Sequence, residues 1–99
     1  MAAVSAMKIK KSCSEVSQLL KALSHPRRLT ILGNLLEGPK TVSQLTTCCN
    51  GTQPQISHFL TRMKFEGLVQ SKREGKYVVY AVADRRLAAL MKVIQNEYC

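Results

Sequence analysis

Two helix-start signals stand close together and constrain this chain more than any other feature. Thr41-Val-Ser-Gln44 and Thr52-Gln-Pro-Gln55 each set a hydroxyl at a helix start and a side-chain amide three residues on. In that pairing each side chain satisfies a backbone N–H of the other residue. Asn50-Gly51 breaks the chain between them, and Pro54 falls in the first turn, where its missing N–H has no intrahelical partner to lose. The helix opened by Thr41 carries Val42, Leu45 and Cys49 at helical spacing. The one opened by Thr52 carries Ile56, Phe59, Leu60 and Met63 and ends at Gly67. Two helices divided by a short glycine-containing break suit a helix-turn-helix.

The flanking segments complete an architecture. Residues 1–11 read as a basic N-terminal arm with Lys8, Lys10 and Lys11, and residues 12–99 as one domain. Ser12-Cys-Ser-Glu15 predicts the start of a first helix carrying Val16, Leu19, Leu20 and Leu23. Ser24-His25-Pro26 restarts the chain into a second helix with Leu29, Ile31, Leu32, Leu35 and Leu36, stopped by Gly38-Pro39. After Gly67 the pattern turns β-branched and aromatic. Residues 68–72 and 77–82 predict two strands, joined by a turn in Arg73-Glu-Gly-Lys76. Asp84 caps a last helix with Leu87, Leu90, Met91, Ile94 and Tyr98 on one side. The expected fold is mainly α with a small β-hairpin: four helices, a hairpin and a fifth helix, a winged helix-turn-helix.

Charge narrows the function. Lys and Arg number 15 against 6 acidic residues, a net charge of +9 in 99 residues. A hydrophobic share of 45% is too high for a disordered basic tail. The balance favours a polyanion, nucleic acid before an anionic membrane. Five aromatics and no Trp make a poor stacking platform for single strands. No apolar stretch is long enough to cross a bilayer, and the N-terminus lacks the pattern of a secretory signal. A cytoplasmic location is therefore expected, with Cys13, Cys48, Cys49 and Cys99 as free thiols. No C-x-x-C pair, glycine-rich phosphate loop, catalytic triad or paired carboxylates can be assembled, so no enzyme and no cofactor is expected.

The helix from Gln53 to Phe65 is the candidate reading element. With Ile56, Leu60 and Met63 turned inward, Thr52, Gln53, Gln55, Ser57, His58, Thr61 and Arg62 remain outside. There is no charge between Cys48 and Thr61. Short polar groups match base edges in a major groove, where Gln pairs bidentately with adenine. Arg62, Lys64, Lys72, Arg73 and Lys76 flank that face, opposed only by Glu66 and Glu74, and suit backbone phosphates of double-stranded DNA. The first and last helices carry more apolar surface than one small core uses, so a homodimer through those two helices on an inverted repeat is expected. A winged helix that makes protein contacts only is the alternative.

These motifs resemble a known family. Leu20-Lys-Ala-Leu-Ser-His-Pro-Arg-Arg-Leu-Thr-Ile-Leu looks like the start of an ArsR-type (ArsR/SmtB) winged-helix repressor. Thr52-Gln-Pro-Gln-Ile-Ser-His-Phe-Leu resembles its recognition helix, with Thr52 for the usual Ser and Phe59 for the usual His. Phe65-Glu-Gly-Leu-Val through Arg73-Glu-Gly-Lys-Tyr-Val-Val-Tyr resembles its wing. The resemblance runs from about residue 15 to the end. It implies a homodimeric DNA-binding repressor that an inducer releases from its operator.

The inducer is less determined. The C-x-C positions of the family's soft-metal sensors fall on Thr41 and Ser43, and no His follows Asp84 on the last helix, so no metal site of either kind is expected. His25, at a helix start, reads as a capping or packing residue. Cys49 falls at a core position and Cys48 beside it. One branch of the family senses persulfide or oxidant through a cysteine on the second helix and one ending the last. Cys99 suits the latter. The second helix holds no Cys, with Gly33 near the place, which leaves Cys13 as the substitute. A helix start and Lys10 and Lys11 would favour a Cys13 thiolate, and the family's packing of first helix on last would bring Cys13 to Cys99. The resulting expectation is a Cys13–Cys99 thiol sensor. The alternative is an arsenite or metal site built from an unusual set of cysteines.

Overall fold

A computed structural model describes residues 6–99, with side-chain surroundings from Cys13 onward. In chain order the elements are α1 (Ala6–Ala22), α2 (Pro26–Leu36), β1 (Lys40–Thr41), α3 (Val42–Cys48), α4 (Gln53–Phe65), β2 (Val69–Glu74), β3 (Tyr77–Val82) and α5 (Arg85–Tyr98). The expected winged helix-turn-helix is what forms, with two corrections.

The first correction concerns α1. It begins at Ala6, so Ser12 is interior to the helix and is not its cap. Residues 6–11 of the expected basic arm are the opening turns of that helix; residues 1–5, and the side chains of Lys8, Lys10 and Lys11, lie outside what is described. The physical reason is that Met7-Lys-Ile-Lys-Lys holds good helix formers and no Gly or Pro, so nothing stops the helix from extending past the local signal. The second correction is a third strand. β1 pairs antiparallel with β3, Lys40 opposite Tyr80 and Thr41 opposite Val79, giving the sheet order β1-β3-β2. Two residues carry no readable alternation, and only the edge of β3 makes them a strand.

The other punctuation behaves as local chemistry requires. Both Thr capping boxes form, with Thr41 Oγ1 accepting from the Gln44 N–H and Thr52 Oγ1 from the Gln55 N–H. Asp84 Oδ1 accepts from the amides of Arg86 and Leu87. At the end of α4, Leu68 N–H bonds back to Met63 O and Gly67 N–H to Lys64 O, at 2.9 and 3.0 Å. That pattern needs a left-handed residue, and Gly67 supplies it at φ +81°. Asn50 takes φ +52° between α3 and α4. The β2–β3 hairpin turns on Gly75 and Lys76, and only Gly75, at φ +62°, is in the positive region. This is the arrangement of a II′ turn, whose twist matches the strands it joins.

The core lies where α2, α3, α4 and α5 meet. Ile31, Leu32, Leu45, Ile56, Leu60, Met63 and Leu87 are fully buried, each stabilising by roughly 1.5–3 kcal/mol. α1 contributes little to it: Ala22 and Leu23 are buried, while Val16 and Leu20 are 45% and 53% exposed. On α5, Leu87 and Met91 face the core, and Val93 and Tyr98 face outward. No helix among the described residues is long and apolar enough to cross a membrane.

Candidate nucleic-acid interface

α4 presents its burial pattern as expected. Ile56, Leu60 and Met63 are buried; Thr52, Gln53, Gln55, His58, Thr61, Arg62 and Lys64 are exposed, and Ser57 is half-buried. With about 100° per residue, the face opposite the core centres on Pro54, His58 and Thr61. Gln53, Ser57 and Lys64 lie on one flank, Gln55, Phe59 and Arg62 on the other.

The geometry divides these side chains by how free they are. Gln55 Oε1 accepts from the Thr52 amide at 3.2 Å, closing the capping box. A bidentate adenine contact needs both ends of an amide, so Gln55 can read a base that way only by giving up its cap. Gln53 makes no side-chain hydrogen bond among the described residues. Thr61 Oγ1 donates to Ser57 O at 2.8 Å, which fixes its rotamer and turns its methyl outward from that bond. Lys64 Nζ donates to Ser71 Oγ at 2.6 Å and ties α4 to β2.

The wing brings its cations beside this helix. Lys72, Arg73 and Lys76 are all exposed; Arg73 Nε donates to Gly75 O at 3.4 Å, and Lys76 Nζ sits 5.8 Å from the centroid of the Tyr77 ring. Neither Arg62, Lys64, Lys72, Arg73 nor Lys76 enters an ion pair among the described residues. The array therefore offers a polar, uncharged helix face edged by cations that no carboxylate holds in an ion pair among the described residues.

One ion pair escapes a reading of the sequence. Arg28, in the first turn of α2, donates through Nη1 and Nη2 to both oxygens of Glu66 at 2.8 and 3.1 Å. Glu66 is the C-cap of α4. A carboxylate at a helix C-terminus opposes the dipole, and that misfit was the one local sign that Glu66 needed a partner. The hydrogen bonds from Arg28 hold the Glu66 carboxyl below the usual range, outweighing its partial desolvation. A group depressed on folding contributes its stability above its unfolded pKa and loses it as pH falls through the folded value. Glu66→Gln is therefore expected to cost about 1 kcal/mol at neutral pH, since the pair is bidentate and half-sheltered. The difference from the parent should shrink at acid pH, as the depressed Glu66 carboxyl is protonated in the folded state too. Urea unfolding at neutral and acid pH checks this.

The four cysteines are free. Cys49 is buried, where burial pushes its thiol up and the neighbouring Cys48 adds to that, and it accepts a long contact from Asn34 Nδ2 at 3.5 Å. It is a core residue, as expected. Cys13, Cys48 and Cys99 are exposed. Because α1 starts at Ala6, Cys13 is mid-helix, and the expected help from a helix start is absent. Glu15, two residues on, meets Arg86 in the first turn of α5 at 3.6 Å. Cys99 follows the last turn, about 20 Å further along that axis. The structure thus leaves Cys13 and Cys99 unjoined within a protomer. No group of three or more His, Cys, Asp or Glu side chains that could hold a metal occurs among the described residues. His25 is a cap: its Nδ1 accepts from the Arg27 amide at 3.1 Å.

Comparison with known proteins agrees with this geometry. Residues 25–71 match the family described as bacterial regulatory protein, arsR family. The HTH-type transcriptional regulator YgaV of Escherichia coli is 35% identical over 89 residues, which is 89% of this chain and 90% of that protein. Among solved structures, the transcriptional repressor BigR from Xylella fastidiosa superposes with a TM-score of 0.91 at 30% identity, covering 97% of this chain and 98% of that one. A homodimeric winged helix-turn-helix DNA-binding domain from Mycobacterium bovis gives a TM-score of 0.76 at 32% identity, covering 97% and 88%.

Proposed function

Because this chain belongs to the ArsR family of bacterial regulatory proteins, we propose that it is a homodimeric repressor of transcription that binds an inverted repeat in double-stranded DNA. The observation that carries this reading is the uncharged outer face of α4 edged by cations that enter no ion pair among the described residues. α4 enters the major groove. Gln53, Ser57, His58 and Thr61 address base edges, with Thr52 and Gln55 at the helix start, where Gln55 offers its remaining Nε2 donor. Arg62, Lys64, Lys72, Arg73 and Lys76 neutralise phosphates.

Dimerisation uses α1 and α5. Val16, Leu20, Val93 and Tyr98 are exposed apolar side chains on these two helices. The homodimeric Mycobacterium bovis neighbour supports a second copy as their cover. A two-fold pair sets the reading helices roughly 34 Å apart, one duplex turn.

The signal that releases the DNA is read by Cys13 and Cys99. Both are exposed, and their separation along α5 favours a bridge between protomers over one within. Peroxide would take two electrons and two protons from the pair, leaving a disulfide and water; two equivalents of a persulfide donor would leave one sulfur bridging the pair and release two thiols and hydrogen sulfide.

A gel shift on the promoter upstream of its own gene tests the whole reading. The expected result is a salt-sensitive complex, lost on treatment with peroxide or a persulfide donor together with a Cys13–Cys99 bridge in the mass spectrum. In Arg73→Ala/Lys76→Ala, binding should weaken on every duplex. The slope of log affinity against log salt should flatten by about 1 per contact removed, about 2 per protomer. No shift on any duplex at low salt would favour a role in protein contacts alone.

A further inference from the structure

We propose that Arg27, with His25, grips a DNA backbone phosphodiester on the flank of α4 opposite the wing. The proposal rests on the DNA-binding reading above and adds residues on α2 to an interface otherwise drawn from α4 and the hairpin. Between the first turns of α2 and α4 lies an open cleft of about 480 Å³, lined by His25, Arg27, Pro54, Gln55, His58 and Phe59. No carboxylate lines it.

Its side of the helix is what matters. Lys64 bonds to Ser71 of β2, so the wing stands on the flank of α4 that carries Lys64. Gln55 and Phe59, which line the cleft, share the other flank with Arg62. A helix seated in a major groove about 12 Å wide has a sugar–phosphate backbone along both sides. The hairpin supplies cations to one of them. The cleft, with Arg62 one turn further on, supplies the other.

The donors are held and available. Arg27 Nη1 donates to Asn50 O at 3.2 Å, which pins the guanidinium against the turn between α3 and α4. A Cβ on Gly51 would stand 2.6 Å from that same nitrogen, so the glycine is what lets the guanidinium lie there. One of five N–H donors is used in this contact, and Arg27 enters no ion pair among the described residues. His25 accepts at Nδ1 from the Arg27 amide, which places the proton of the neutral ring on Nε2 as a donor. Phe59 lies between the two imidazoles, its ring centroid 5.0 Å from His25 and 6.3 Å from His58, and steadies both. Were Arg27 only a strut for the turn, a single neutral donor would serve; a fork with free N–H groups in a cleft without acids matches a phosphate.

The test is a salt titration of the full chain on an operator-bearing duplex and on an unrelated duplex of equal length, with Arg73→Ala/Lys76→Ala run in parallel. Arg27→Gln is expected to weaken both duplexes by the same factor, about tenfold for one lost charged contact. It should also flatten the salt slope by about 1 per protomer. His25→Asn keeps a good helix cap while removing the imidazole, and should weaken both duplexes about threefold with an unchanged melting temperature, the loss expected for one neutral hydrogen bond. This second variant reads the cleft even if Arg27→Gln loosens the turn. An unchanged slope in Arg27→Gln and unchanged affinity in His25→Asn, beside a flattened slope in the wing variant, overturns the cleft and leaves DNA binding standing. Parent protein that binds neither duplex overturns both.

Discussion

Leu20→Glu is expected to leave a folded monomer whose affinity for an inverted-repeat duplex is lower by about a hundredfold or more. Leu20 is 53% exposed in the protomer, so a carboxylate there meets water and the isolated fold does not need the leucine. In a two-fold dimer the same side chain would be buried, and two copies of the new charge would face each other's apolar surface without partners. Breaking the pair separates two linked binding events, and linkage is worth roughly 10²–10⁴ in apparent affinity. Analytical ultracentrifugation and a gel shift on whole and half sites read the result. Affinity for a single half-site should be little changed. A dimer that survives Leu20→Glu, with parent affinity, would place the interface somewhere other than α1 and α5.

Leu60→Ala has the largest expected effect on stability, about 3 kcal/mol. Leu60 lies in the middle of α4 with no exposed surface, beside Ile56 and Met63, and truncation leaves a cavity that the surrounding α2, α3 and α5 side chains cannot fill without moving. In a domain of this size each kcal/mol shifts the midpoint by roughly 4–8 °C, so a fall of about 15 °C is expected at fixed protein concentration. Phe65→Ala on the same helix is the control. Phe65 is 93% exposed and its loss should leave the midpoint within about 4 °C, as for other surface changes within about ±0.5 kcal/mol. Equal destabilisation by the two variants would mean that the buried stripe of α4 has been wrongly identified.

These expectations draw on features of different legibility. The caps at Thr41, Thr52 and Asp84, the glycine stop after α4 and the hairpin turn could be read directly, because each is a contact between residues two to five apart. The buried triplet Ile56, Leu60 and Met63 followed from helical period alone. Ser12 was misleading for the same reason in reverse: a capping pattern states that a helix is able to start, and the residues before it decided that it had already begun. Gln55 was legible twice, as a cap and as a base reader, and only the 3.2 Å bond from the Thr52 amide shows which role occupies its carbonyl.

What the sequence determined by itself is the order of the five helices and the hairpin, the buried and outer faces of α4 and the sign of the charges around it, since caps, turns and periodicity act through neighbours along the chain. What the tertiary structure decided is which distant residues meet. Arg28 finds Glu66 across 38 positions, Arg27 finds Asn50 across 23, and Lys40 and Thr41 become a strand only against β3. None of these pairs has a local signature, because the partner's position is fixed by how the buried faces of α2, α3 and α4 pack together, not by anything adjacent in the chain.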